Sequence, residues 1–317
     1  MRAWQVTDPT DPTNGLGIAD VAEPDGELVV EVRRAGIGYP DLLMRRGEFQ
    51  IPQEPPFVLG WEAAGEVVAA PADAAVAVGD RVATMTFGAF TERVSADPNT
   101  TFRIPEEMSF DQAAALPLNS FTALAAMRRG GVDGGDVVLV HGAAGGVGSS
   151  SVQLAKARGA TVIAVVSTDE KARQATADGA DHVAIGDDWV AAVRAAAPLG
   201  VDVIIDPVTG DRFRDSIRLL ATEGRLLVIG FVGGSIPSVS VNKLLFNNTD
   251  VRGCSWSVLG SQPGGFPAAA AELSELATRG EIAPVVGETL PFEELPRALE
   301  TLGARQAIGK LVLDTTA

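Results

Sequence analysis

The sequence predicts an α/β protein in which a doubly wound parallel sheet is joined to a β-rich, barrel-like domain. Three observations carry that expectation. Through the middle of the chain, short continuous apolar runs alternate with helical stretches. The first of those runs empties into a glycine-rich loop that leads directly into a helix. The first 118 residues follow another pattern, short β-type segments divided by frequent glycine and proline.

Taken in order, Leu28–Val32, Ala64–Val68, Asp80–Thr84 and Ala89–Val94 read as the short strands of the barrel-like part. From Ser120 the pattern changes. Ser120–Met127 reads as helix, and strand-plus-helix units follow: Val137–Val140 with Ser149–Arg158, Thr161–Val166 with Lys171–Ala177, and Val201–Ile205 with Phe213–Leu220. Leu226–Ile229 adds a strand and Ala268–Thr278 a helix. In the last segment Leu295, Ala298, Leu299 and Leu302 share one helix face, and Lys310–Leu313 reads as a closing strand. That segment is expected to complete the first domain, giving one domain from residues 1–118 and 284–317 and a second from 119–283.

The bulk composition narrows the function classes. A hydrophobic content of 46% with 21% charged residues is that of an ordinary globular protein. Forty-one acidic residues against 25 basic ones, a net charge of −16, speak against a broad electrostatic grip on nucleic acid or an anionic membrane. No apolar run approaches the ~18 residues of a membrane span. The N-terminal Met1-Arg2-Ala3-Trp4-Gln5-Val6 lacks the apolar core of a secretory signal, so a cytoplasmic location is expected. The single cysteine, Cys254, excludes an intrachain disulfide and a multi-cysteine zinc site.

The stretch with the most chemical content is Val137-Val138-Leu139-Val140-His141-Gly142-Ala143-Ala144-Gly145-Gly146-Val147-Gly148. Strand, tight turn and helix follow one another without a gap. Glycines suit such a turn because it must be sharp, its backbone must approach a pyrophosphate, and the helix must pack closely on the strand. The phosphates are then met by free N–H groups at the positive end of the helix dipole. The dinucleotide pattern is present as Ala143-x-Gly145-x-x-Gly148, with alanine replacing the first glycine. Ala144, Gly145, Gly146, Val147 and Gly148 are the expected phosphate contacts.

Several further motifs occur in a fixed order: Ala35-Gly36-Ile37-Gly38-Tyr39-Pro40-Asp41, Arg46-Gly47, Pro56-Phe57-Val58-Leu59-Gly60-Trp61-Glu62-Ala63-Ala64-Gly65, Val78-Gly79-Asp80-Arg81-Val82, Gly88-Ala89-Phe90-Thr91-Glu92, and Gly309-Lys310-Leu311-Val312-Leu313. With these motifs the chain resembles the medium-chain dehydrogenase/reductase superfamily, and within it the zinc-free, ζ-crystallin-like quinone oxidoreductase branch. The resemblance implies a GroES-like catalytic domain built from both termini, a central Rossmann nucleotide domain, and NAD(P)H-dependent hydride transfer in the cleft between them. It also implies a homodimer joined through the nucleotide-domain sheets, with Val239 to Phe246 near the edge.

Zinc-dependent members of the superfamily carry cysteine, histidine and cysteine where this chain has Gly38, Trp61 and Leu118. None of the three can ligate zinc, so no metal is expected. Without a metal to stabilise an alkoxide, alcohol oxidation is disfavoured. A quinone or an α,β-unsaturated carbonyl accepts hydride without one, because its negative charge delocalises onto oxygen.

Cofactor choice is read at the end of the second strand. An NAD site places Asp or Glu there for the ribose 2′-OH; this chain has Val166, Ser167 and Thr168. Ser167 with Lys171 can bond and neutralise a 2′-phosphate, so NADPH is expected. Against it stand Asp169 and Glu170, since a Ser/Thr-Asp-Glu run is also how a helix begins, and Ile185-Gly186 replaces a tyrosine common in NADPH-binding relatives. The resemblance places Pro207 and Val208, then Gly230, Phe231 and Val232, beside the adenosine and nicotinamide ends of the cofactor. It further implies Cys254, Ser255 and Trp256 by the carboxamide, Asn119 and Thr122 near the ring, and Lys310 at a phosphate or ribose.

Gly38, Trp61, Asn119 and Trp256 form the expected acceptor pocket, with Trp61 as an aromatic wall for a flat molecule. Tyr39, the only tyrosine, is the candidate catalytic residue as a proton donor to the acceptor oxygen. Equally it is a ribose contact or an aromatic surface packed on the cofactor, since a hydroquinone or enol can take its proton from water. Asp41, Glu62, His141, His182 and Cys254 are expected to be structural. The expected activity is thus a zinc-independent NADPH:quinone or enone oxidoreductase. An enoyl-thioester reductase of the same superfamily and a non-catalytic NADPH-binding sensor or structural protein are the alternatives.

Overall fold

The computed structural model describes residues 1–316. The chain runs β1 (Arg2–Val6), β2 (Leu16–Asp20), β3 (Val29–Ile37), α1 (Tyr39–Arg45), β4 (Phe57–Val58), β5 (Glu62–Ala69), β6 (Arg81–Met85), β7 (Arg93–Ser95) and β8 (Thr101–Arg103). It continues through α2 (Phe110–Ala114), α3 (Pro117–Gly130), β9 (Val137–His141), α4 (Gly146–Ala157), β10 (Thr161–Val166), α5 (Asp169–Ala177), β11 (His182–Ile185) and α6 (Trp189–Ala196). The remainder is β12 (Val201–Asp206), α7 (Phe213–Leu219), β13 (Leu220–Val228), α8 (Asn242–Leu245), β14 (Asp250–Gly253), α9 (Gly265–Thr278), β15 (Val286–Pro291), α10 (Leu295–Gly303) and β16 (Lys310–Asp314). Two compact units result: residues 1–118, 266–278 and 284–317, and residues 119–265 and 279–283.

The first unit is β-rich because its apolar residues come in short stretches that bury one side at a time. A sheet in the order β15-β16-β3-β5-β6-β8, with β7 also on β3, accompanies a smaller sheet β2-β1-β4. Strand β16 lies antiparallel to β3, pairing Leu311 with Ile37 and Val312 with Gly36. Leu28, Ile37, Leu59, Phe90, Phe292 and Leu295 fill the core. Ala89–Val94, expected as one strand, forms strand only from Arg93. Its earlier backbone groups are used elsewhere: Phe90 N–H donates to the Leu59 carbonyl (2.9 Å), and Trp4 N–H to that of Phe90 (2.9 Å).

The second unit is a parallel sheet in the order β11-β10-β9-β12-β13-β14. Its central strands are apolar on both faces: Val138, Leu139, Val140, Val203, Ile204 and Ile205 are all buried. Strand order reverses between β9 and β12, and ligands of such sheets bind beyond the strand ends at that point. Two elements differ from the sequence expectation. Helix α4 starts at Gly146 rather than Ser149, so the last glycines belong to its first turn. Residues 266–278 of α9, expected in the second domain, group with the first unit, where Ser274 Oγ reaches the Arg103 carbonyl (3.4 Å). Among the described residues no helix is long and apolar enough to cross a membrane.

Candidate functional site

In the turn from β9 into α4, a β-carbon on Gly146 or Gly148 would clash with its neighbours. A Cβ on Gly148 would stand 2.1 Å from the Gly142 carbonyl oxygen, and one on Gly146 would stand 2.4 Å from the Asn119 amide nitrogen. Gly142 has φ +60°, a left-handed conformation that side chains resist. Gly145, the residue capping α4, is extended and has no side-chain cap, so backbone N–H groups alone face outward from the helix start. Asn119 therefore lies on the turn. Thr122 is buried on the same helix, α3.

Around the carboxyl ends of the strands, the residues named from sequence fall into two groups. At the end of β10, Val166 is buried while Ser167 is exposed, and Thr168 Oγ1 caps α5 by accepting from the Lys171 backbone N–H (3.2 Å). Asp169 and Glu170 occupy the first turn of α5, where the helix dipole favours them. Beyond β13 and β14, Val228, Ile229, Phe231, Cys254, Ser255, Val258 and Arg129 line a cavity of about 450 Å³. Phe231, Cys254 and Ser255 are thus brought together. Burial pushes the Cys254 thiol up to about 11, so it is an inert apolar wall. Trp256 is half-buried next to them in sequence, at the start of a 3₁₀ turn.

The first unit gathers Gly38, Leu118, Glu62 and Lys310 into one buried cluster. Lys310 is 4% exposed and Glu62 fully buried, and they form an ion pair. Glu62 also accepts from the Leu118 N–H (2.8 Å). A Cβ on Gly38 would lie 3.3 Å from the Lys310 ammonium and 3.5 Å from Leu118. Lys310, expected at a cofactor phosphate or ribose, is held on Glu62. Asp41 accepts from the Gly38 N–H (2.7 Å), and burial raises its carboxyl to about 7 although that bond and Lys310 oppose the shift.

Tyr39 opens α1 and is half-buried against the first unit's core. Trp61 donates its indole N–H to Met44 Sδ (2.9 Å) and packs edge-on against Phe49 (5.9 Å) and Phe87 (5.7 Å). Trp61, Phe49 and Phe87 therefore form one cluster of rings. Phe49 and Phe87 were missed, since neither lies in a recognisable motif. Helix α1 was missed too, although Pro40 and Asp41 in its first turn are the usual signal.

His141 is enclosed within the second unit. Fully buried at the end of β9, it bonds through Nε2 to Ser216 Oγ (2.8 Å) and meets the Trp189 ring edge-on. Ser216 spends its own proton on the Arg212 carbonyl (3.0 Å), so His141 donates. Burial lowers the imidazole to about 3, and it is neutral. Among the described residues, no three His, Cys, Asp or Glu side chains are grouped to hold a metal ion.

Fold and turn together define a two-unit α/β protein whose second unit has the doubly wound topology of dinucleotide-binding proteins. Comparison with known proteins carries this further. The alcohol dehydrogenase GroES-like domain matches residues 24–106, and the zinc-binding dehydrogenase family matches residues 146–275. A quinone oxidoreductase-like protein 2 from Bos taurus is 35% identical over 297 residues, covering 90% of this chain and 84% of the relative. A mycobacterial protein solved in complex with NADPH is 33% identical, with a TM-score of 0.90 and 99% of each chain covered. The quinone oxidoreductase of Thermus thermophilus, also solved in complex with NADPH, is 32% identical, with a TM-score of 0.87 and coverage of 99% and 100%. The chain belongs to the medium-chain dehydrogenase/reductase superfamily, in its quinone oxidoreductase-like branch.

Proposed function

We propose that the protein is a zinc-independent, NADPH-dependent oxidoreductase that reduces a quinone or an α,β-unsaturated carbonyl. The observation that carries this is the β9–α4 turn, where Gly146 and Gly148 leave no space for a β-carbon and α4 begins without a side-chain cap. That geometry fits a pyrophosphate approached by backbone N–H groups. Relatives named quinone oxidoreductases and solved with NADPH support the same reading.

In this reading residues 119–283, apart from residues 266–278 that group with the first unit, are the nucleotide-binding domain, and residues 1–118 with 284–317 the catalytic one. Ala144 to Gly148 hold the phosphates, with Asn119 packed on the turn. Ser167 and Lys171 take the 2′-phosphate, since Val166, Ser167 and Thr168 stand where an NAD site has its carboxylate. Pro207, Val208, Gly230, Phe231, Val232, Cys254, Ser255, Trp256 and Thr122 shape the remaining contacts. A bound nicotinamide supplies the hydride; the chain's own residues supply position and exclude water, and orientation of this kind is worth ~7–11 kcal/mol of barrier.

Zinc independence rests on residue chemistry: Gly38, Trp61 and Leu118 offer no ligand atom where zinc-dependent relatives have theirs. Gly38 and Trp61 then serve the acceptor, with Trp61, Phe49 and Phe87 forming its aromatic side. Tyr39 is the candidate donor of the proton. Asp41 holds the Gly38 backbone and Glu62, paired with Lys310, that of Leu118. A homodimer accords with the exposed apolar residues Val241, Leu245 and Phe246 close to edge strand β14. The place of action is the cytoplasm.

Loss of absorbance at 340 nm with NADPH and an ortho-quinone, a para-quinone, an alkenal or crotonyl-CoA tests the reading. Turnover with a quinone or the alkenal is expected. Turnover with crotonyl-CoA alone identifies a thioester reductase instead, and NADPH binding without any turnover identifies a sensor.

A further inference from the structure

Beyond β12 the chain makes a turn that a β-branched residue ordinarily avoids. Thr209 has φ 54° and ψ −132°, and it is almost fully buried. For a β-branched side chain a positive φ of this kind is a genuine outlier. Such strain persists only where surrounding bonds over-determine it, and it gathers at functional sites.

Here the over-determination can be traced bond by bond. Asp206, fully buried at the end of β12, accepts with one carboxylate oxygen from the backbone N–H groups of Val208 (2.9 Å) and Thr209 (2.7 Å). The Thr209 hydroxyl lies 2.7 Å from the Val208 carbonyl and 3.2 Å from that of Gly230, across on the loop after β13. In return Gly233 N–H donates to the Val208 carbonyl (2.7 Å), and Val232 N–H to that of Pro207 (3.3 Å). Ile229 N–H reaches the Asp206 carbonyl (2.9 Å). The two loops are thus joined by the Thr209 hydroxyl and by backbone bonds, while the Asp206 carboxylate fixes the shape of the first loop. Their joint surface rests on the glycine turn, since a Cβ on Gly142 would lie 3.1 Å from Val208 Cγ2.

The geometry points to Asp206 and Thr209 as positioning residues that fasten the loops after β12 and β13 into one platform against the glycine turn, so that a bound dinucleotide meets both loops already aligned. This rests on the NADPH reading given above. Each side chain acts through the loop backbones it fixes. Alignment before binding lowers the fraction of non-competent molecules, and apparent affinity scales with the competent fraction.

The test is titration of the full-length protein with NADPH, read by protein fluorescence, alongside thermal melting. Thr209→Val keeps the branched shape and the strain but loses the hydroxyl. If its loops are aligned about a tenth of the time, the NADPH Kd rises about tenfold, and Thr209→Ser, which restores the hydroxyl, returns the Kd to near the parent value. Gly233→Ala is an independent wedge, because its Cβ would stand 2.7 Å from the Val208 carbonyl oxygen; it is expected to weaken NADPH binding as well. If Thr209→Val does not fold, Thr209→Ser and Gly233→Ala carry the test. An unchanged Kd in Thr209→Val, or in Gly233→Ala where Thr209→Val does not fold, overturns the inference even if the melting point falls, because a role confined to stability moves the melting point alone. Failure of the parent protein to bind NADPH overturns the functional reading instead.

Discussion

Replacing Lys310 by Met removes the cation from a pocket where Glu62 is fully buried and Lys310 itself only 4% exposed. Solvent cannot take over the lost pairing. Glu62 keeps its bond from the Leu118 N–H (2.8 Å), but its second oxygen is left facing a thioether-bearing side chain. Breaking a buried pair by deleting one partner costs about 3–5 kcal/mol, most of it the penalty of the stranded charge. At about 2–4 °C per kcal/mol for units of this size, the melting point should fall by roughly 10 °C. Adding Glu62→Gln to Lys310→Met removes the stranded charge while an amide oxygen still accepts from Leu118. The double variant should therefore melt well above the Lys310→Met single variant. Thermal melts of the two single variants and the double variant at pH 7 provide the comparison. A single variant within about 2 °C of the parent, or a double variant no more stable than Lys310→Met, would refute the reasoning.

Three other expectations follow from the same structure. Asp41 holds its proton more tightly folded than unfolded, because burial raises it from 3.8 to about 7. Its contribution to stability is then full below the unfolded value and lost as pH rises through about 7. The melting point of the parent should drop over that window relative to Asp41→Asn, and parallel profiles would contradict the assignment. Gly148→Ala places a methyl 2.1 Å from a backbone oxygen that cannot step aside. NADPH binding should fall at least tenfold, as far as ~1.4 kcal/mol of misplacement requires, and calorimetric titration showing parental affinity would remove the close-approach argument. Trp61→Ala should change the ranking of acceptors more than the NADPH constant, measured by steady-state kinetics on several quinones; an unaltered ranking counts against an aromatic wall.

The fold was legible where burial on both faces left an unmistakable trace. Val137–Val140, Val162–Val166 and Val203–Ile205 are continuous apolar runs, and all lie within strands of the parallel sheet. Helix α6 was not foreseen, because only Trp189 and Val193 of its residues are deeply buried, too few to set a period. Strand β2 escaped notice for a similar reason, being wholly half-buried or exposed. Of the candidate site, the glycine turn announced itself through composition. The Lys310–Glu62 pair did not, since its members are separated by most of the chain and meet only when β16 closes on β3. Thr209 was equally silent, because nothing in a sequence reveals that a threonine adopts a conformation suited to glycine.

The central claim is that this chain binds NADPH through the β9–α4 turn and selects its 2′-phosphate at Ser167 and Lys171. Calorimetric titration of the full-length protein with NADPH and, separately, NADH tests it most directly. One NADPH per chain is expected, bound at least roughly tenfold more tightly than NADH, as a charge-assisted contact worth ~1.5–3 kcal/mol implies. Equal affinity for the two, or no binding of either, would contradict it.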